Sequence, residues 1–330
     1  MLQVLLTIDT EFWPSGAHPW PAHPLARPLT TIQDDYAQDI LGQTATGDYG
    51  LPYLLDSLTC HQLNAVFFVE SLHASALGGQ LLERTVRTIH AAEQDIQLHV
   101  HTEWLTEMMS IDLPSPYRQN LGDFKLADQT TIVRQALRNL RAAGGQNVVA
   151  LRAGNMGGSA ETVYAAKAAG LLWDMSFDLA RGRAVHHMIQ DLAKRDDVAS
   201  ACPSIPLPCV EDYPGHFRSM QLTALSFAEL RHAMFCAERE GWPVFVIMLH
   251  SFELIKRDST RSSRTRTHKI NIRRWKLLCE LLNRRRDIFR TITCQDLVFP
   301  DGNVGGSHVT RTRPIHTLLR FFEQLSSRVF

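Results

Sequence analysis

The chain contains no Cys-x-x-Cys pair, no apolar run of membrane-spanning length and no excess of charge of either sign. Each absence removes a class of protein. Its six cysteines, Cys60, Cys202, Cys209, Cys236, Cys279 and Cys294, are scattered through 330 residues, several of them inside apolar runs. That spacing excludes a zinc ribbon, a thioredoxin-type redox pair and a disulfide scaffold, and it fits core thiols in a reducing compartment. Cys202 and Cys209 flank a Pro-rich loop and could meet, although free thiols are the expectation. No apolar run reaches the roughly 18–20 residues that a bilayer span needs. The opening Met1-Leu-Gln-Val-Leu-Leu-Thr-Ile-Asp9 has neither a basic region nor a small-residue cleavage site, so the expected setting is cytoplasmic. Lys plus Arg and Asp plus Glu both number 34, which gives no reason to expect a polyanionic partner. The basic stretch Lys256–Lys269 lacks the interleaved aromatics of a nucleic-acid groove.

What is present is a regular alternation. Leu2–Ile8, Asn64–Val69, Ile96–Val100, Val148–Leu151, a short run toward Trp173 and Asp174, Val244–Leu249 and Phe289–Thr293 read as strands buried on both faces. Between them, helical spacing covers 53–63, 79–93, 128–143, 159–169, 226–240 and 270–285. Gly144-Gly145 ends one of these helices, and Ser226 with Glu229 forms a capping box that opens another. Residues 12–35 are rich in Pro, His and Trp and read as a long loop, while 180–222 carries no clear pattern. About seven strands joined by helices imply right-handed β-α-β units and a parallel α/β barrel over residues 1–300. A C-terminal extension, 301–330, carries an amphipathic helix with Leu318, Leu319, Phe322 and Leu325 at helical spacing, expected to dock on the core.

The polar residues fall at the C-terminal ends of the strands, which share one face in an α/β barrel. Asp9 and Glu11 follow the first strand, His99, His101 and Glu103 the third, Arg152 and Asn155 the fourth, Asp174 and Ser176 the fifth, and His250 the sixth. Burying two imidazoles beside carboxylates is costly unless something pairs them, and three protein ligands around an open position make a catalytic metal site. A second carboxylate can accept a proton from water, an Arg can hold that carboxylate ionised, and a His across the site can protonate a leaving amine. These parts describe hydrolysis of an amide or ester.

In these motifs the sequence resembles the NodB-type polysaccharide deacetylases of the carbohydrate esterase class, closest to their WalW-like branch, which is linked to lipopolysaccharide biosynthesis. The resemblance runs through five short motifs over about residues 2–297. Thr7-Ile8-Asp9-Thr10-Glu11 stands for the family's Thr-Phe-Asp-Asp, with Thr10 at the usual metal-binding Asp and Glu11 as its substitute. His99 matches the first ligand of His-Ser/Thr-x-x-His, Glu103 stands at the second, and His101 is an additional candidate. Arg152-Ala153-Gly154-Asn155, Asp174-Met175-Ser176 and Leu249-His250-Ser251 complete the set. The resemblance implies a distorted (β/α)7-8 barrel, catalytic Asp9, Arg152 and His250, and a divalent metal, zinc with cobalt or nickel as alternatives, held by Glu11, His99 and either His101 or Glu103. It implies an acetylated amino sugar as substrate, and a lid role for the basic stretch 256–269 would point to a lipid-linked or nucleotide sugar.

Asn155, Asp174 and Ser176 are expected on the substrate side, and Trp13, Trp20 and Trp104 are candidates to stack on a sugar face. The stretch 256–269 is expected to be a solvated loop, or alternatively a lid for a phosphate-bearing substrate. Two other readings remain open at this level. One is a metal-independent amide or ureide hydrolase on the same fold; the other is a non-catalytic sugar-binding module.

Overall fold

A computed structural model describes residues 1–12, 32–107, 118–193, 201–257, 265–299 and 308–329, with backbone alone at 106–107, 193 and 325–329. Its centre is a seven-stranded sheet in which every pairing is parallel. The strands are β1 (Leu2–Thr10), β2 (Val66–Glu70), β3 (Asp95–Val100), β4 (Ala150–Ala153), β5 (Trp173–Asp174), β6 (Val244–His250) and β7 (Phe289–Thr291). Their order is β6-β1-β2-β3-β4-β5, and β7 pairs the first residues of β1. The expected barrel is therefore found, and it is distorted.

The distortion has a local cause. Among the described residues no regular strand lies between β5 and β6, and the gap is closed by the stretch that lacked a sequence pattern. Asp174 N–H donates to Pro203 O, Ile205 N–H to Asp174 O and Leu207 N–H to Phe177 O, a short parallel ladder beside β5. On the far side Met248 N–H donates to Met220 O and Leu222 N–H to Met248 O, against β6. Met220 N–H donates to Pro208 O and joins the two halves. Between those points Cys209–Tyr213 and His216–Ser219 form an antiparallel hairpin, and Val309–Arg311 from the C-terminal extension pairs parallel with the first of them. The extension is thus partly built into a three-stranded sheet.

The strands are nearly continuous runs of Val, Ile, Leu and Phe because helices or barrel interior cover both faces. Buried Gln97 in β3 shows how a polar exception is tolerated. Its Oε1 accepts from Val149 and Ala150 N–H, both at 2.8 Å, and its Nε2 donates to Asp95. The helices Leu51–His61, Gln80–Ala91, Leu126–Ala142, Thr162–Ala168, Phe227–Arg239 and Lys269–Arg284 lie within a few residues of their expected spans. The Ser226/Glu229 capping box is formed. A helix at Ile32–Asp39 takes the last part of the expected 12–35 loop. All six cysteines are free, so Cys202 and Cys209 are buried thiols rather than a bridge.

Two peripheral expectations change. The limbs of the basic stretch, Ile255–Arg257 and Thr265–Thr267, pair as an antiparallel ladder, and Arg257 forms an ion pair with Asp39. The segment is anchored at its base, while 258–264 lies outside the described residues. The C-terminal helix, Pro314–Val329, docks through its polar side, not its apolar one. Arg320 is fully buried between Asp212 (2.7 Å) and Glu229 (2.8 Å), and Glu323 pairs with Arg274 at 2.6 Å. No helix among the described residues is long and apolar enough to cross a membrane.

Candidate active site

Parallel register sets the site. Asp9 in β1 stands beside His250 in β6, and His99 in β3 beside Arg152 in β4, so four strand ends deliver their polar residues to one mouth. Asp9 and Glu11 project to the same side because alternate residues of an extended chain do. Thr10, between them, turns away and binds Ile8 O.

Glu11, His99 and His101 form a buried group with metal-ligand spacing. One oxygen, Glu11 Oε2, lies 2.7 Å from His99 Nε2 and 2.5 Å from His101 Nε2, and the two nitrogens are 3.1 Å apart. The other ring nitrogens fix the tautomers. His99 Nδ1 is 2.8 Å from Arg152 O, which can only accept, so Nδ1 carries the proton. His101 Nδ1 lies 3.1 Å from Glu103 Oε2 and is likewise the donor there. Both Nε2 atoms of neutral rings then present lone pairs to a carboxylate oxygen. Three acceptors converge on one point, an arrangement that needs extra protons or a cation. Consistent with that, burial opposes the charged form of His101, but Glu11 and Glu103 outweigh it and raise its pKa well above the ordinary value. Glu11 is driven low by the same pairing, with burial opposing and His101 and then His99 outweighing it. A backbone carbonyl and a carboxylate behind the two imidazoles are the outer partners that metal-bound histidines use. The donor set fits a divalent cation.

Glu103 therefore lies behind His101, not beside the Nε2 atoms. The chain leaves β3 after Val100 and enters a 3-10 turn, Thr102–Glu107, which swings Glu103 onto Nδ1. Asn155 Nδ2 donates to the other oxygen of Glu103 at 2.9 Å, from a backbone held at φ 58°. Gly154 supplies the space. A Cβ there would lie 2.6 Å from His101 Nδ1 and Cε1, so only glycine admits the ring.

Asp9 is held from behind. Arg152 Nη1 donates to Oδ1 at 2.5 Å, while Nη2 reaches Thr7 Oγ1 at 3.0 Å and the guanidinium lies over the Phe68 ring. Oδ2 is left facing His99 Nε2 and His250 Nε2, each at 3.9 Å. His250 is more open than the rest, with its side chain 20% exposed. Its Nδ1 donates to Glu253 Oε1 at 2.7 Å. Burial disfavours the imidazolium, but Glu253 first, then Glu11 and Asp9, push its pKa up to about 9.

Three expected substrate contacts lie elsewhere. Trp104 is fully buried against Phe12 and His73 and offers no face to a sugar. Asp174 and Ser176 are also completely buried and serve as a latch: Ser176 Oγ donates to Asp174 Oδ1 at 2.6 Å and accepts from Ala153 N–H at 2.8 Å. They brace β4, and with it Arg152. Burial is the main reason that the Asp174 pKa rises to about 6, with Ser176, Ser204 and Arg152 opposing. Trp13 and Trp20 lie outside the described residues. Sequence reasoning missed Glu253 and the roles of Gly154 and Thr7, which it placed only within motifs. Of these, Glu253 left a signal in its three-residue spacing from His250.

No protein-family model and no curated protein matches the chain. Solved structures do. A structure from Mycobacterium smegmatis assigned as a polysaccharide deacetylase matches with TM-score 0.52 and 15% identity, covering 89% of this chain and 87% of that one. The likeness is one of fold. A family 4 carbohydrate esterase from Streptomyces lividans, in complex with acetate, matches at 13% identity over 91% of this chain and 94% of that one, with TM-score 0.41. A CE4 family pseudoenzyme from Bacillus anthracis matches at 12% identity over 94% and 69%, also with TM-score 0.41.

Proposed function

We propose that this chain is a metal-dependent hydrolase that removes acetyl groups from an amino sugar or glycan precursor. The observation that carries the reading is the convergence of Glu11 Oε2, His99 Nε2 and His101 Nε2 beside a separate Asp9–Arg152 pair and a partly exposed His250. Bound there, a zinc, cobalt or nickel ion would supply a Lewis acid for the acetyl carbonyl and acidify a water.

The chain's own groups account for the proton movements. Arg152 binds Oδ1 of Asp9 and so aims Oδ2 into the site, where it can accept the proton of the attacking water. Water oxygen bonds to the acetyl carbon, and the carbon–nitrogen bond breaks. His250, held protonated on Nε2 by Glu253 behind Nδ1, gives that proton to the departing amine. Asp9 and His250 face one another, so the proton gained by one restores the proton lost by the other. Acetate and a free amino sugar leave.

The five motifs in order support placement near the WalW-like branch and a substrate from lipopolysaccharide or other cell-surface polysaccharide biosynthesis; the basic stretch 256–269 supports one that is lipid- or nucleotide-linked. The test is elemental analysis of the purified chain beside Glu11→Ala and His99→Ala, followed by acetate release from acetylated amino-sugar substrates. About one divalent ion per chain, absent from both variants, is the expected result. A parent that takes up no metal after supplementation would overturn the reading and leave the metal-independent hydrolase or the binding module.

A further inference from the structure

The C-terminal helix is built inside out. Its polar residues Thr317, Arg320 and Glu323 turn to the barrel, where Arg320 is 0% exposed. Ile315, Leu318, Leu319 and Phe322 follow the i, i+3, i+4, i+7 spacing of one face, and that face points away from the protein. Their exposures are 57%, 52%, 46% and 68%, and the neighbouring Phe321 is 47% exposed. Ordinary helix docking would bury this stripe and expose Arg320. Instead ion pairs along the inward face fix the reverse orientation: Arg320, fully buried, with Asp212 and Glu229, and Glu323 with Arg274.

We propose that this outward face docks the protein on an anionic lipid surface. Leu and Phe are the side chains that enter the headgroup boundary, and exposed arginines gather beside them. Arg231, Arg239, Arg311 and Arg313 are all exposed near the start of the helix. Their field reaches the local histidines. Burial first, then Arg313, lowers the pKa of His232 and of His316, with Arg239 adding at the former and Arg231 at the latter. The nearby acids are engaged: Glu229 with Arg320, Glu323 with Arg274 and Glu211 with Arg311. Anionic headgroups would complement the remaining arginines.

Area and charge both disfavour a second copy as the occupant. Five half-exposed apolar side chains offer roughly 500 Å², short of the roughly 800 Å² per partner of a stable interface. A two-fold contact would also bring both arginine clusters into one interface.

The experiment is vesicle flotation of the full chain with phosphatidylcholine alone and with phosphatidylglycerol-enriched vesicles, at low and high salt. Parent is compared with the double variant Leu318→Glu, Phe322→Glu, and light scattering gives the oligomeric state. Thermal unfolding confirms that the variant folds. The expected result is binding at least about tenfold stronger to the anionic vesicles, weakened by salt and lost in the variant. Failure to float with anionic vesicles overturns the proposal, as does a parent dimer that the variant dissociates, which would make the face a self-interface. Neither outcome depends on the metal site, because the readouts involve neither metal nor turnover.

Discussion

Gly154→Ala tests the geometry of the metal-ligand group most directly. The new Cβ would lie 2.6 Å from His101 Nδ1 and Cε1, where ordinary contact begins near 3.4 Å, so something must move by about 0.8 Å. The ring has little room to retreat. Its Nδ1 is tied to Glu103, and its Nε2 faces Glu11 and His99. If the backbone yields instead, it carries Asn155 away from Glu103, and the support of Nδ1 is lost. Both routes displace Nε2 from the point where the three donors meet. Loss of an outer partner costs about 10–100-fold in metal affinity, and that is the expected weakening for zinc. Overpacking adds a fold destabilisation of about 1–3 kcal/mol. A competition titration against a chromophoric chelator measures the first quantity, and urea unfolding of the metal-free protein measures the second. The double variant Gly154→Ala, His101→Ala should recover stability relative to Gly154→Ala without recovering affinity. Zinc affinity within about twofold of the parent in Gly154→Ala would refute the reasoning, since that lies well below the cost of a lost outer partner.

Three further outcomes follow from the same structure. Asp9→Asn should lower kcat by about 10²–10⁴ while metal content stays at the parental level, because Asp9 lies outside the ligand group; acetate release beside elemental analysis checks both. Glu253→Gln removes the strongest influence raising the His250 pKa, so the alkaline limb of kcat/KM should move to lower pH, where the acid now loses its proton. Asp174→Asn concerns stability. The folded carboxyl titrates at about 6, above its unfolded value near 3.9, so the native state binds more protons between those values and parental stability falls as pH rises through that window. The Asn variant should lack that fall, worth on the order of 2 kcal/mol, in urea unfolding at pH 4 against pH 7.

The barrel was legible because fully buried parallel strands leave unbroken apolar runs, as β1 and β6 do, and because polar residues gather where such runs stop. Asp9, His99, Arg152 and His250 could all be found by that rule. The Gly154–His101 contact could not, since it depends on how closely β4 approaches β3. The role of Glu103 also escaped, because it turns on where β3 yields to the 3-10 turn. Trp104 shows the limit of residue type as a guide: an indole next to a site fills core as readily as it meets a sugar. Periodicity found the C-terminal helix and its two faces, yet periodicity carries no sign. Which face turns inward was decided by Asp212 and Glu229, about a hundred residues away in sequence.

The Pro208–Met220 hydrogen bond gives the molecule a seam with a pocket sewn into it. The chain leaves the barrel wall at one point, makes the hairpin 209–219, and returns to an adjacent point, so the hairpin's length does not affect the wall's continuity. The C-terminal strand pairs with that hairpin, and Asp212 within it holds Arg320 of the last helix. The tail is therefore shared between the excursion, through Asp212, and the outer helices, through Glu229 and Arg274, none of which is a residue of the candidate site. Relatives could lengthen, trim or replace this appendage, and change what the protein touches, without disturbing the chemistry at the mouth of the barrel.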